Sequence, residues 1–144
     1  MKYNKSIKKS FLNLLMFNGN KKISEKILLK TLKNIQKKFN KKKSLDIVKI
    51  GLVNSSPVFF LKNIKRRKKR TVEFPFLLSS SLRTFYGINF IIANCKNKKQ
   101  GRFFQKLEEE LILSAQNTGL SIKRKKDLYA ESVLKKKFAN YRWF

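Results

Sequence analysis

Apolar residues recur along this chain at two spacings, and the change from one to the other divides it. Between Ser6 and Phe17, the residues Ile7, Phe11, Leu14 and Leu15 fall at i, i+4, i+7 and i+8. That spacing predicts a first amphipathic helix, stopped at Asn18-Gly19. Asn20-Lys21-Lys22 then reads as a short basic turn. Leu28, Leu32, Ile35 and Phe39 supply the buried side of a second helix, with Ser24 as its expected cap and Glu25 in its first turn. Ser44 is placed to cap a third, with Asp46 in the first turn and Leu45, Val48 and Leu52 along one side. Pro57 ends it, because proline disfavours helix at the residue before it. The period then changes to two. Val72, Phe74 and Phe76 share one face, and Glu73 and Pro75 share the other. Together with the apolar approach from Val58 to Leu61, this predicts a β-hairpin over residues 58–76. Pro75 is tolerable because the strands of a two-stranded ribbon are edge strands.

The helical period returns after the hairpin. Ser79, Ser80 or Ser81 can open a fourth helix, in which Leu82, Phe85, Asn89 and Ile92 share a side and Tyr86 and Phe90 lie beside them. Gly87 costs a helix about 1 kcal/mol relative to alanine, so it marks an expected close approach. The stretch from Lys96 to Gly101 is a basic break. Phe104, Leu107, Leu111 and Ala115 form the cleanest stripe in the chain and predict a fifth helix, ended near Asn117-Thr118-Gly119. The run from Lys123 to Lys126 reads as a basic loop. Asp127 is the expected cap of a sixth helix, with Ala130, Leu134, Phe138 and Tyr141 on one face. The expected fold is mainly α: a six-helix bundle with one β-hairpin inserted between helices 3 and 4, as a single domain over residues 1–144. No repeat and no long linker divides it.

Charge changes the picture. The 144 residues carry 36 Lys+Arg against 8 Asp+Glu, a net charge of +28. Self-repulsion of that size opposes compaction, and a polyanionic partner is the natural compensation. The cations are spread along the whole chain and not along one helical face, which favours nucleic acid over a membrane surface. They cluster at Lys21-Lys22, Lys41 to Lys43, Lys65 to Arg70, Lys96 to Lys99 and Lys123 to Lys126, mostly between the predicted helices. The hairpin is expected to carry Lys65, Arg66, Arg67, Lys68, Lys69 and Arg70 at or near its tip, away from the helical body.

Catalytic chemistry finds little support. There is no histidine and one cysteine, Cys95, so zinc-type ligand sets and disulfides within the chain are excluded. Cys95 reads as a small apolar residue in a helix. Glu108-Glu109-Glu110 are adjacent, and successive helical residues point about 100° apart, so they cannot converge on one site. They are expected on a solvated face, pairing with lysines such as Lys106. No phosphate-cradling glycine loop and no nucleophile-base set is present. No enzyme activity and no cofactor is expected. No apolar run approaches the ~20 residues of a membrane span. A DNA-binding regulator or nucleoid protein is the alternative, but no helix gathers Asn, Gln or Arg on one face to read base edges.

The order of elements and three sequence stretches resemble the family of small-subunit ribosomal protein seven, in its bacterial and organellar form. The stretches are Phe11 to Met16 with Asn18-Gly19-Asn20-Lys21-Lys22, Leu107 to Leu128 with Asn117-Thr118-Gly119, and Phe138-Ala139-Asn140-Tyr141-Arg142-Trp143. Three features differ from the family pattern: a shorter basic N-terminal arm, Lys68-Lys69 where the tip usually holds glycines, and Arg83 alone where the family has paired arginines. The resemblance implies a structural constituent of the small ribosomal subunit that binds the 3′ major domain of the rRNA and helps assemble the subunit head. It also implies a hairpin near exit-site tRNA and the mRNA path, and small-subunit protein eleven as a neighbour. Read with the charge clusters, it marks Lys5, Lys8, Lys9, Lys21, Lys22, Arg83, Lys96, Lys98, Lys99, Arg102, Lys123, Arg124, Lys125, Lys126 and Arg142 as candidate rRNA contacts. The hairpin cations are the tRNA- and mRNA-proximal set. Tyr141 and Trp143 are candidates for base stacking or for pinning the last helix. Abundant Lys, Asn, Ile and Phe reflect AT-rich codons and point to an organelle or a reduced bacterium. The expected place is a mitochondrial matrix ribosome, with a plastid or an AT-rich bacterium as alternatives. Because the resemblance starts almost at Met1, no cleavable presequence is expected and the gene is expected to be read inside the organelle.

The charge yields a first prediction. The isolated chain is expected to lose helix at low salt and to regain it with a small-subunit rRNA fragment. Circular dichroism with and without the RNA measures this. A fold equally cooperative at all salt concentrations without RNA would contradict it.

Overall fold

Helix α5 (Phe103–Ala115) is the element on which most others pack: α2 (Lys21–Lys38), α3 (Ser44–Ser55), α4 (Ser80–Asn97) and α6 (Leu120–Leu134) all touch it. The computed structural model describes residues 2–40, 43–65 and 71–139. Helix α1 (Lys2–Leu15) completes the bundle against α2 and α4, and a short 3-10 turn, Lys136–Phe138, follows α6. Strands β1 (Phe59–Lys65) and β2 (Thr71–Leu77) form one antiparallel hairpin between α3 and α4, so the element order is as expected.

The core is built by apolar side chains at helical spacing. Phe11 from α1, Leu28 and Ile35 from α2, Val48 and Leu52 from α3, Ile88, Ile91, Ile92 and Cys95 from α4, and Leu107 and Leu111 from α5 form one cluster. The α5 stripe is the expected one at its centre, with Leu107 and Leu111 fully buried. Two glycines let the helices approach. A Cβ on Gly87 would lie 2.6 Å from the Ser56 hydroxyl oxygen and 3.1 Å from Leu52, so the close packing expected there is present. A Cβ on Gly51 would lie 2.9 Å from the carbonyl oxygen of Leu111.

Several local expectations are corrected. Helix α2 begins at Lys21, so Lys21-Lys22 form its first turn and not a loop. Ser24 is therefore not a cap; its hydroxyl is buried and donates to the Lys21 carbonyl at 2.8 Å. Glu25 falls outside the first turn. Helix α6 begins at Leu120, after Gly119 at φ +94°, so Lys123 to Lys126 are helical and Asp127 lies inside the helix and does not cap it. In α3, Leu45 is exposed and Ile47 takes the inward place. In α4, Leu82, Phe85 and Asn89 are exposed, and Ile88, Ile91, Ile92 and Cys95 form the buried side. Buried residues in α4 begin only at Gly87, so a stripe drawn from its first turns points to solvent. In α6, Ala130 and Leu134 are exposed, Leu134 at 80%, while Ser121, Ile122 and Ser132 are buried. Tyr141 lies outside the described residues.

The hairpin is clasped at its base. Phe60 is opposite Phe76, Leu61 opposite Pro75 and Asn63 opposite Glu73. Alternation sends Phe60, Phe74 and Phe76 to one face, where Phe60 stacks on Tyr86 of α4 with ring centroids 4.1 Å apart. Phe74 on that face is buried. Phe59, on the opposite face, meets Tyr129 of α6 edge-on at 6.0 Å. The Val58 N–H donates to the Tyr129 hydroxyl at 2.8 Å, and Lys135 pairs with Glu73. Each face thus has a partner near the base, and Glu73 and Pro75 are half-buried.

The α3–α5 crossing generates a prediction. In Gly51→Ala the new Cβ meets backbone, which cannot rotate away. The loss of stability is expected at about 1–3 kcal/mol, outweighing the helix propensity gained. The urea midpoint measures it.

Candidate nucleic-acid interface

A surface that binds a polyanion needs its carboxylates kept out of the way, and α5 does this for two of three. Glu108 is 4% exposed and Glu110 is 0% exposed, while Glu109 is exposed. This overturns the expectation that all three form a solvated face. Glu108 lies 2.8 Å from the Lys38 ammonium and accepts from the Asn34 amide at 2.9 Å, both from α2. The hydrogen bond from Lys38 to Glu108, with the Glu108 charge, raises the pKa of Lys38. Glu110 accepts from the Ser121 N–H at 2.9 Å and from its hydroxyl at 2.6 Å. Ser121 is in the first turn of α6, so the carboxylate takes up an amide that the helix itself leaves unpaired and sits at its positive end. The Asn94 amide donates to the same hydroxyl at 3.1 Å, tying in α4. Lys98 lies 3.5 Å from both Glu109 and Glu110. Lys106, the expected partner, donates instead to the Lys98 carbonyl. Burial, reinforced by Glu110, pushes the Cys95 thiol up to about 12.

The candidate cations divide into two groups. Arg83, Lys98 and Lys125 are half-buried and tied into the body. Arg83 donates to the Leu78 carbonyl at 3.0 Å, at the junction of hairpin and α4. Lys125 donates to the Asn54 carbonyl at 2.8 Å, and burial lowers its pKa. Lys8, Lys9, Lys21, Lys22, Lys96, Lys99, Arg102, Lys123, Arg124 and Lys126 are exposed. Arg124 also lies over the Phe90 ring, 5.1 Å from its centroid. The backbone of Lys5 lies in α1 and that of Lys65 ends β1. Arg66 to Arg70, Arg142 and Trp143 lie outside the described residues.

Two concave places accompany these cations. A polar cleft of about 450 Å³ is lined by Asn34, Lys37, Lys38, Gln105, Lys106 and Glu108. An apolar groove of about 470 Å³ lies between the hairpin and α6, lined by Phe59, Phe76, Leu77, Tyr129 and Val133. Among the described residues no group of three or more His, Cys, Asp or Glu is arranged to hold a metal ion, and no helix is long and apolar enough to cross a membrane. Adjacency of cations in the sequence marks Lys21 and Lys22 of α2 but not Lys26, Lys30, Lys33 and Lys37. Lys22, Lys26, Lys30, Lys33 and Lys37 are three or four residues apart and all exposed.

The arrangement offers phosphate contacts from helix surfaces and from one extended ribbon, on a body whose central helix turns two acids inward. The family model for ribosomal protein S7p/S5e matches residues 1–132. The small ribosomal subunit protein uS7 of Wigglesworthia glossinidia brevipalpis is 32% identical over 142 residues, covering 99% of this chain and 90% of its own. That of Campylobacter hominis is 30% identical over 141 residues, covering 98% and 90%. The small ribosomal subunit protein uS7m of Danio rerio is 30% identical over 150 residues, covering 93% of this chain and 65% of its own.

The buried carboxylate yields a prediction. Glu110→Ala leaves the buried Ser121 N–H and hydroxyl without their acceptor, and the expected loss is about 2–4 kcal/mol, from roughly 1–3 kcal/mol for each unsatisfied group. Hydrogen exchange should quicken first in residues 119–124. If those amides exchange as in the parent, Glu110 does not anchor α6.

Proposed function

Because this chain belongs to the ribosomal protein S7p/S5e family, and is a small-subunit ribosomal protein and not an enzyme, we propose that it binds the 3′ major domain of the small-subunit rRNA and helps assemble the subunit head. The observation that carries this reading is the sorting of charge. Glu108 and Glu110 are turned into the body, and the exposed cations of α1, α2, the α4–α5 loop and α6 remain outside. Each phosphate that such a cation neutralises releases counterions, so affinity should fall steeply with salt. Lysines on helix surfaces position a protein on a backbone without reading bases, and shape then selects the RNA junction. The chain acts as one ribosomal-protein domain, with Arg83 and Lys125 serving the fold and the exposed set serving the RNA.

The hairpin has a separate role in this reading. Its base is fixed between α4 and α6, and the cations Lys65 to Arg70, which join β1 to β2 in sequence, are the set proposed to meet exit-site tRNA and mRNA. Small-subunit protein eleven is the proposed neighbour. The compartment is proposed as the mitochondrion: the AT-codon residues fit an organelle or a reduced bacterium, and relatives of both bacterial and mitochondrial kind match the chain. Recovery of the protein in ribosomes from purified mitochondria would test that placement.

The test of the division of labour is neutralisation of Lys65, Arg66, Arg67, Lys68, Lys69 and Arg70 to glutamine. Helix content and entry into subunits should persist, and exit-site tRNA should dissociate several-fold faster. A variant that fails to enter subunits would place these residues in primary rRNA binding, against the proposal.

A further inference from the structure

Helix α2 carries an uninterrupted strip of positive charge. At about 100° per residue, Lys22, Lys26, Lys30, Lys33 and Lys37 fall within an arc of about 80°. The buried residues Ser24, Leu28, Thr31 and Ile35 fall in an arc centred almost diametrically opposite. At about 1.5 Å per residue the five lysines span roughly 22 Å of helix axis, at intervals of about 4.5–6 Å. A solvated helix face usually mixes signs, with acids placed to pair with lysines one turn away. Here the one acid of the helix, Glu25, lies off the strip and 3.8 Å from Lys21. Lys22–Lys26, Lys26–Lys30, Lys30–Lys33 and Lys33–Lys37 are like-charged neighbours, each of which opposes the helix.

We propose that the outer face of α2 is a rail for one RNA phosphate backbone, running from the candidate contact Lys22 along the helix to Lys37 and separate from the hairpin. This rests on the rRNA-binding reading above and names a further surface within it. The occupant follows from the chemistry. Lysine is a compact point charge without the fork that reads base edges, and a row of them at regular intervals matches a regular line of negative charge. At its C-terminal end the strip reaches the polar cleft, which Lys37 lines beside Lys38 and Lys106. Lys30 leans over the Phe104 ring, 5.7 Å from its centroid, on the side facing α5. The rail therefore borders α5 at Phe104 and the cleft at Lys37.

The decisive experiment is position-specific. Lys33→Cys in the full chain gives one exposed thiol for an iron chelate, since Cys95 is buried and its thiol is held protonated. In the complex with small-subunit rRNA, radicals from that site should cut one short stretch of one strand. Changing all five lysines to glutamine should reduce the slope of log affinity against log salt by about four, from 0.7–0.9 per phosphate, and arginine in their place should restore it. A complex that is cut from Lys123→Cys but not from Lys33→Cys, with the glutamine variant keeping its slope, overturns the rail and leaves the face to solvent or an acidic protein. Failure of the parent chain to bind the RNA would overturn the function itself as well.

Discussion

The fold depends on one buried carboxylate in a chain that is otherwise overwhelmingly cationic. Glu110 has no exposed surface, yet it is not an isolated charge, because α6 offers it an amide and a hydroxyl and α4 offers it Lys98. Burying an ion without such partners costs several kcal/mol, so the site exists only because three helices meet there. Its consequence is directional. The start of α6 is held against α5, and the exposed cations Lys123, Arg124 and Lys126 follow from that anchor. Glu108 does the same between α5 and α2 through Lys38 and Asn34. Two of the eight acids thus organise the bundle by contacts that salt screens weakly, while the surface lysines act in water and are screened strongly.

This separation joins fold to function. A protein that must meet RNA cannot display many carboxylates, but a bundle with net charge +28 needs attraction somewhere. Placing two of the eight carboxylates inside serves both needs. It also explains why some cations are unavailable for binding. Lys98, Arg83 and Lys125 hold the α4–α5, hairpin–α4 and α3–α6 junctions, and their donors are directed at protein oxygens.

Much of the architecture was legible in the residues. The six helices and the hairpin follow from the two hydrophobic periods, and the α5 stripe of Leu107 and Leu111 is the true centre of the core. What failed did so for physical reasons. Ser24 and Asp127 have the chemistry of caps, but capping depends on where backbone amides go unpaired, and the helices start earlier. Leu82 and Phe85 have the spacing of a core face, but the buried residues of α4 begin only at Gly87, and both side chains lie exposed ahead of it. Glu108 and Glu110 look solvent-facing until the partners on α2 and α6 are known, and those are 74 and 11 residues away in sequence. The α2 strip was readable from spacing alone and was missed because charge was read as runs and not as helical faces.

The two-faced grip on the hairpin constrains how this ribbon can change in length. Phe60 must reach Tyr86 on one side while Phe59 reaches Tyr129 on the other. Strand residues alternate between faces, so adding or losing one residue between the clasp and a point further along would exchange those faces for everything beyond it. Glu73 would leave Lys135, and Phe74 would turn out of its buried place. Within the gripped length, from Phe59 to Asn63 and from Glu73 to Leu77, a tolerated insertion therefore comes two residues at a time, in steps of about 7 Å at about 3.4 Å per residue. Residues added on the far side of that grip leave every gripped face as it is, so the ribbon's length is free to drift only there.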